Sequence, residues 1–257
     1  MNQDLVRLAN EIARSIAEKI RKERRTDLKK NIGIGADGTP TKLIDKLAEE
    51  IAMEKLRESH LPVNLLSEEA GFIDFGGEYT IILDPIDGTR NAVRGIPFYA
   101  VSVAIGREGL RDVEYGIVIN IPTGDTYFAE RGKGAYLNNR RISSPQYPMG
   151  KPLYSIMLGK NLPDQIFDNH IRSLGSASLE LSLVAHGSID CFICPKDHLR
   201  ITDLAAGVLI VREAGGCVCD IEGEELDMGL DVTERTSVVA GISEKVIFDV
   251  INYLRHA

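Results

Sequence analysis

Ile81-Ile82-Leu83-Asp84-Pro85-Ile86-Asp87-Gly88-Thr89 carries the strongest structural signal in the chain. An apolar run delivers two carboxylates three residues apart, followed by a Gly-Thr turn. That is how a buried strand ends in hard oxygen ligands, and such ligands select Mg²⁺ or Mn²⁺ over softer metals. A turn opening a helix after the second carboxylate would aim free backbone N–H groups at an anion. A metal and an anion at one strand end suggest phosphoryl chemistry.

On both sides of this stretch the hydrophobic period is that of strands. Val63 to Leu66 predicts a short strand ending in Ser67-Glu68-Glu69, and Thr80 to Leu83 a strand ending in Asp84. Phe98–Ile105, Val113–Ile121, Thr126–Glu130 and Ala135–Leu137 read as successive strands separated by Gly- and Pro-bearing turns. The logic is an antiparallel meander, not a βαβ series. Upstream, Leu5, Leu8, Ala9, Ile12, Ile16 and Ile20 form a helical stripe, and a second helix is expected from about Thr41 to Ser59. The stretch from Ser143 to Lys151, with Pro145, Pro148 and Gly150, is the best boundary. It divides one compact catalytic unit into an N-terminal α+β half, 1–142, and a C-terminal α/β half, 143–257. In the second half, strands are expected at 153–158, 189–193, 217–221 and 237–240. Helices are expected at 164–173, 176–186, 203–214 and 243–255. Blocks of this kind imply stacked helical and sheet layers, an α+β fold.

With 257 residues the chain can bury a substantial core. A net charge of −8 argues against a nucleic-acid surface. No apolar stretch approaches the roughly 20 residues of a membrane span. The polar N-terminus does not read as a signal peptide, so a cytoplasmic location with no membrane partner is expected. The four cysteines, Cys191, Cys194, Cys217 and Cys219, invite a zinc assignment by spacing. Each pair lies in a β-like apolar run, however, and the expectation is buried free thiols.

Three phosphate-type signatures occur by spacing alone. Gly33-Ile34-Gly35-Ala36-Asp37-Gly38 matches the dinucleotide-binding pattern literally, but Thr26–Lys30 before it is not a buried strand. A nicotinamide oxidoreductase is therefore the poorer reading. Cys194 to Arg200 has the C-x5-R spacing of cysteine-dependent phosphatases, but Pro195 removes a donor and no Gly eases the loop. Asp84 and Asp87 are three apart, whereas a haloacid-dehalogenase nucleophile needs its second acid two residues on.

What remains is a carboxylate constellation: Glu68, Asp84 and Asp87 at strand ends, and Asp203 opening an apolar helix. For Asp203 alone, helix capping is an equally good reading. Taken together, Asp84-Pro85-Ile86-Asp87-Gly88-Thr89, Leu66-Ser67-Glu68-Glu69 and Thr202-Asp203-Leu204-Ala205-Ala206-Gly207 followed by Glu213-Ala214-Gly215-Gly216 resemble three motifs of the inositol monophosphatase and fructose-1,6-bisphosphatase superfamily. The chain looks most like its dual-activity archaeal type. One departure is Thr202, where the family usually has Trp.

The resemblance covers essentially the whole chain and implies a five-layered αβαβα sugar-phosphatase fold and a homodimer. It implies a lithium-sensitive phosphatase with two or three Mg²⁺ per site, Mn²⁺ being a substitute. Glu68, Asp84, Asp87, Asp203 and the carbonyl of Ile86 would hold the metals, with Asp37 completing a third site. Asp87, Gly88 and Thr89 would hold the substrate phosphate, and Arg172, Ala177 and Lys196 would lie against the sugar or its second phosphate. Divalent cations neutralise a phosphate monoester dianion and stabilise the leaving alkoxide. Glu68, Asp37 and Thr89 are then expected to position or deprotonate the attacking water. Lys196 can donate hydrogen bonds and attract anions but cannot accept. This favours fructose 1,6-bisphosphate beside inositol 1-phosphate as substrate. The alternatives are an NADP or 3′,5′-phosphoadenosine phosphatase of the same fold, and a non-catalytic RNA-related regulatory module.

Overall fold

The computed structural model describes residues 2–23, 31–34, 40–157 and 162–255. Helix α1 (Gln3–Lys22) buries Leu5, Leu8, Ala9, Ile12, Ala13, Ile16, Ala17 and Ile20, and the Asn2 side chain caps it by accepting from the Asp4 N–H at 2.9 Å. A two-stranded hairpin, β1 (Asn31–Ile34) and β2 (Pro40–Lys42), leads into α2 (Leu43–Ser59), which packs beside α1. There follow β3 (Val63–Ser67), β4 (Gly71–Ile73), β5 (Tyr79–Asp87), a short α3 (Thr89–Arg94), β6 (Ala100–Gly106), β7 (Tyr115–Asn120), β8 (Thr126–Glu130), β9 (Gly134–Leu137) and β10 (Arg140–Ile142). They form an eight-stranded sheet ordered β10-β9-β8-β7-β6-β5-β3-β4.

The rest of the chain is β11 (Leu153–Ile156), α4 (Asp164–Phe167), β12 (His170–Arg172), α5 (Ala177–His186), β13 (Cys191–Leu199), α6 (Ile201–Glu213), β14 (Cys217–Cys219), β15 (Thr236–Gly241) and α7 (Glu244–Arg255). Its sheet has five strands in the order β12-β11-β13-β15-β14. Strand periodicity sorts the core into two parts. Ile81, Leu83, Val101, Val103 and Ile117 pack with α1 and α2, while the alternate residues Leu66, Ile82, Ala104 and Val118 pack with α5 and α6 on the opposite face. Helix α6 is buried continuously from Ile201 to Val211, as a helix between two sheets must be. With α7 on the far face of the second sheet, the layers run αβαβα. Close approach depends on two glycines. A Cβ on Gly116 would lie 2.8 Å from the Cα of Ala206, and one on Gly207 would lie 2.7 Å from Leu181 Cδ1. Among the described residues no helix is long and apolar enough to cross a membrane.

Several expectations need correction. β5 does not end at Asp84 but runs on to Asp87 through an irregularity. The sheet is not wholly a meander, because β3 and β5 are parallel, with the edge strand β4 between them in sequence. The helix expected over 164–173 is one turn, and His170–Arg172 instead pairs in parallel with β11, whose outer edge it covers. β13 extends past Ile193 to Leu199, with extra residues between Cys194 and Leu199 relative to β15.

Thr202 is buried, and its hydroxyl finds no hydrogen-bond partner. An unsatisfied buried hydroxyl costs about 1–3 kcal/mol. Thr202→Val, which keeps the shape, is expected to raise the melting temperature, as read by thermal denaturation of the purified variant. A lower value would mean that the hydroxyl is satisfied in solution.

Candidate active site

Residues i and i+3 of a regular strand face opposite sides of a sheet, so Asp84 and Asp87 could not share a site on an unbroken β5. The register resolves this: Asp84 pairs with Ser102 and Asp87 with Ala100, so β5 carries one extra residue over that interval. This bulge returns Asp87 to the face of Asp84. Pro85 sits within it, where a missing N–H breaks no regular ladder. Because β3 and β5 are parallel, with Ser67 level with Leu83, Glu68 emerges beside Asp84. Asp203, in the first turn of α6, completes the group. Carboxylate oxygens of Asp84, Asp87 and Asp203 all lie within 4.8 Å of one another, and all three residues are buried.

They sit at the base of a cleft of about 650 Å³ also lined by Asp45, Glu68, Ile86, Gly88, Thr89, Arg90, Ala177, His198 and Arg200. Burial, reinforced by the charges of Glu68, Asp87 and Asp203, pushes the Asp84 carboxyl well above the usual carboxylate range. Burial first, and the Asp203 charge second, push Asp87 up to about 7. Arg200 supplies local positive charge, its Nη1 3.0 Å from Glu68 Oε1 and 3.8 Å from Asp203 Oδ2. One guanidinium among four carboxylates leaves a buried negative excess built of hard oxygen donors. That donor set fits a divalent cation of the Mg²⁺ type.

Each acid is held by its own contacts. Asp203 Oδ2 accepts from the Arg200 backbone N–H at 2.7 Å, so it caps α6 while facing the cluster. Asp84 Oδ1 accepts from the Ile86 N–H at 3.0 Å. Asp87 Oδ1 accepts from the Ala177 N–H at 3.2 Å, and its Oδ2 from Ser176 Oγ at 2.7 Å, the Ser178 N–H at 2.7 Å and Ser178 Oγ. Gly88 has φ of 89°, and a Cβ there would meet the Gly175 carbonyl at 3.0 Å. Only Gly serves both conditions at this turn.

Thr89 Oγ1 lies 3.1 Å from Asp45 Oδ1 and 2.9 Å from the Ile86 carbonyl oxygen. Asp45 was not among the residues expected from sequence. It occupies the same place in α2 that Asp203 has in α6, accepting from the Lys42 N–H at 3.0 Å. The available signal was an acidic residue three positions before Ala48, inside the apolar stripe of Ile44, Ala48 and Ala52. Sequence also missed Arg200, Ser176 and Ser178, whose roles depend on contacts between the two halves.

Of the three residues expected against the sugar, Ala177 lines the cleft. Arg172 is exposed on the edge strand β12, where its Nη1 donates to the Ile171 carbonyl at 2.8 Å, and Lys196 is exposed on the irregular part of β13. Neither lines the cleft; Arg90 and His198 do. Asp37 lies outside the described residues. Cys194 is buried and its thiol is pushed up to about 11 by burial, the opposite of a nucleophilic thiolate. The hairpin of β1 and β2 is antiparallel, so the glycines starting at Gly33 do not follow a strand of a parallel sheet.

A model of the inositol monophosphatase family matches residues 1–255, and the chain belongs to that metal-dependent family. It is 40% identical over 253 residues to the fructose-1,6-bisphosphatase/inositol-1-monophosphatase of Methanothermobacter thermautotrophicus, covering 91% of this chain and 89% of that one. It is 39% identical over 261 residues to the bifunctional NADP phosphatase/NAD kinase of Methanococcus maripaludis, with 90% of this chain matched but only 45% of the length of that relative spanned. The crystal structure of an inositol monophosphatase–fructose 1,6-bisphosphatase superposes with a TM-score of 0.90 at 30% identity, covering 99% of this chain and 100% of that one.

Proposed function

We propose that this chain is a Mg²⁺-dependent phosphatase of small sugar and polyol phosphates, inositol 1-phosphate and fructose 1,6-bisphosphate among them. The observation that carries the reading is the buried group of Asp84, Asp87 and Asp203 beside the Thr89–Asp45 pair. Glu68, Asp84, Asp87, Asp203 and the Ile86 carbonyl would hold the cations. Bound there, divalent cations supply positive charge to the phosphoryl and leaving oxygens and acidify water. Thr89 Oγ1, donating its proton toward Asp45, can accept a proton from an attacking water through its own lone pair. Asp45 takes the proton that Thr89 gives up, so the threonine ends neutral and the carboxylate protonated, and Glu68 orients the water. Asp37 would complete a third cation position. The halves 1–142 and 143–257 act as one catalytic unit, because Asp203 comes from the second and the other acids from the first.

Hydrolysis of inositol 1-phosphate, measured with Mg²⁺ and with chelator, tests this directly. Turnover that survives the chelator, or no turnover with Mg²⁺ or Mn²⁺, would overturn it; the latter would favour a binding module. NADP and 3′,5′-phosphoadenosine belong in the same panel because of the NADP phosphatase/NAD kinase relative. A homodimer in the cytoplasm completes the proposal. Exposed Phe167 on α4 and Phe248 on α7, two elements in contact, support a subunit interface.

A second phosphate is supported by the positive charge of Arg90 on the cleft lining, with His198 beside it as a neutral hydrogen-bonding group. Arg90 and His198 line the cleft. Burial lowers the His198 pKa, and the nearby charges of Arg200, Arg235 and Arg90 lower it further against the pull of Asp203. Arg90→Ala is expected to cut kcat/KM for fructose 1,6-bisphosphate about tenfold, as for one charge-assisted contact of ~1.5–3 kcal/mol, and to leave inositol 1-phosphate within about threefold. An equal fall for both substrates would remove Arg90 from that role.

A further inference from the structure

Glu180 is wholly buried in the first turn of α5, its carboxylate bonded to a hydroxyl and backbone amides, and it does not line the cleft. Its carboxylate is fully engaged. Oε1 accepts from Ser155 Oγ on β11 and from the Leu174 N–H at 3.3 Å; Oε2 accepts from the N–H groups of Gly175 and Ser176, both at 3.2 Å. Three successive amides therefore converge on one side chain, in the manner of an anion held by a concave backbone. Burial raises the Glu180 pKa against the pull of these donors. The segment they fix is the one that supplies Ser176 Oγ, the Ala177 N–H and the Ser178 donors to Asp87.

The same segment is held from the opposite side. Asn91 Nδ2, on α3 two residues after Thr89, donates to the Leu174 carbonyl at 2.7 Å and to the Phe98 carbonyl at 2.8 Å. Gly88 packs against Gly175 and Ser176 with no room for a Cβ. A single chain of contacts thus runs from Ser155 in the second sheet, through Glu180 and residues 174–177, to both oxygens of Asp87 in the first sheet. An exposed loop could not hold Asp87 this way, because the donors themselves would wander; here each donor's backbone is fixed by an acceptor.

We propose that Glu180 is a positioning residue. It sets the aim of the Asp87 carboxylate, and hence the divalent-cation affinity of the site, by anchoring residues 174–176 from within the molecule. The inference rests on the proposed cation-dependent phosphatase reading, but its primary readout does not depend on turnover.

The test uses Mn²⁺ alone as probe, titrated by electron paramagnetic resonance into the full chain, with amide hydrogen exchange of residues 174–176 and steady-state hydrolysis beside it. Glu180→Ala is expected to weaken Mn²⁺ binding about tenfold, in line with the 10–100-fold cost of losing outer contacts to metal ligands, and to speed exchange at 174–176. Its kcat should fall with it while KM for inositol 1-phosphate moves less than about threefold. Glu180→Gln retains one oxygen that can still accept from Gly175 and Ser176; its amide turns toward Ser155, whose hydroxyl can reverse, and only the 3.3 Å bond from the Leu174 N–H is lost. It is expected to keep Mn²⁺ affinity within about threefold, whereas Glu180→Met, similar in size but without a strong acceptor for these N–H groups, is expected to weaken Mn²⁺ binding as Glu180→Ala does, which a mere packing role would not predict. If Glu180→Ala does not fold, Ser155→Ala removes one anchor without opening the core and is expected to weaken Mn²⁺ binding two- to threefold. Unchanged Mn²⁺ affinity in a folded Glu180→Ala variant, or in Ser155→Ala where the former does not fold, overturns the inference. Absence of Mn²⁺ binding in the wild type overturns the cation-dependent reading itself.

Discussion

Asp87→Asn is expected to lower kcat by more than about a hundredfold at saturating Mg²⁺, ~2.7 kcal/mol of barrier, while the variant stays folded. The effect has two sources. The substitution removes one of the negative charges that make the site attractive to a cation. It also places an NH₂ group where only acceptors fit, since Asp87 receives four hydrogen bonds from Ser176, Ala177 and Ser178 and both of its oxygens are used. Whichever way the amide is turned, two donors face each other, and the side chain must rotate away from the cluster. Neutralising a buried acid whose ionisation is already opposed by burial does not threaten the fold in itself. The measurement is kcat with rising Mg²⁺, alongside circular dichroism. A variant that retains more than about a tenth of wild-type kcat, within one decade or ~1.4 kcal/mol, removes Asp87 from the chemistry.

The sequence made the acids legible because metal and phosphate chemistry restricts residue types more than position. Asp84-x-x-Asp87-Gly-Thr can be read without knowing how the strand bends. The bend itself could not be read: the bulge that brings Asp87 to the face of Asp84 is a matter of register against β6, a partner defined only by the fold. The same limit explains the strand at His170–Arg172. Its residues do not alternate strongly, and they pair because β11 has an open edge. Layering was legible from the change of period between helices and strands, whereas the burial of α6 on all sides was expressed as an apolar run from Leu204 to Val211 that any buried helix would show. Asp45 escaped notice because one acid near a helix start reads as a cap, which it is; its second contact, with Thr89, crosses 44 residues of sequence. Ala177 sits on a helix whose start is fixed by Asp87, while Arg172 and Lys196 sit on an edge strand and an irregular strand, where side-chain direction follows local register.

The metal-free protein is expected to lose stability as pH rises from about 5 to 8, and a divalent cation is expected to abolish that loss. The sign follows from the carboxylates of the cleft. Asp87 titrates at about 7 in the folded chain, against 3.8 for the unperturbed group. Between those values the folded protein holds more protons than the unfolded one, so stability falls with rising pH and the contribution is gone above about 7. Asp84 is shifted the same way by burial and by its acidic neighbours. So are Glu49, Glu180 and Asp190, all chiefly by burial. The combined effect is of order a few kcal/mol, because the two acids of one site titrate as a pair and share their repulsion. For a chain of this size that corresponds to a melting temperature about 5–10 °C lower at the upper end of the range. A cation that binds the ionised, folded site adds its own binding free energy only where the acids are deprotonated, so the stabilisation by MgCl₂ should grow with pH. Thermal unfolding across this range with chelator and with saturating MgCl₂ is the measurement, with Asp84→Asn as control: removing one buried charge should flatten the chelator curve. A chelated protein that melts higher at pH 8 than at pH 5, or an Asp84→Asn variant with an unchanged slope, would show that the cluster's charges are neutralised by some route other than protons or a cation.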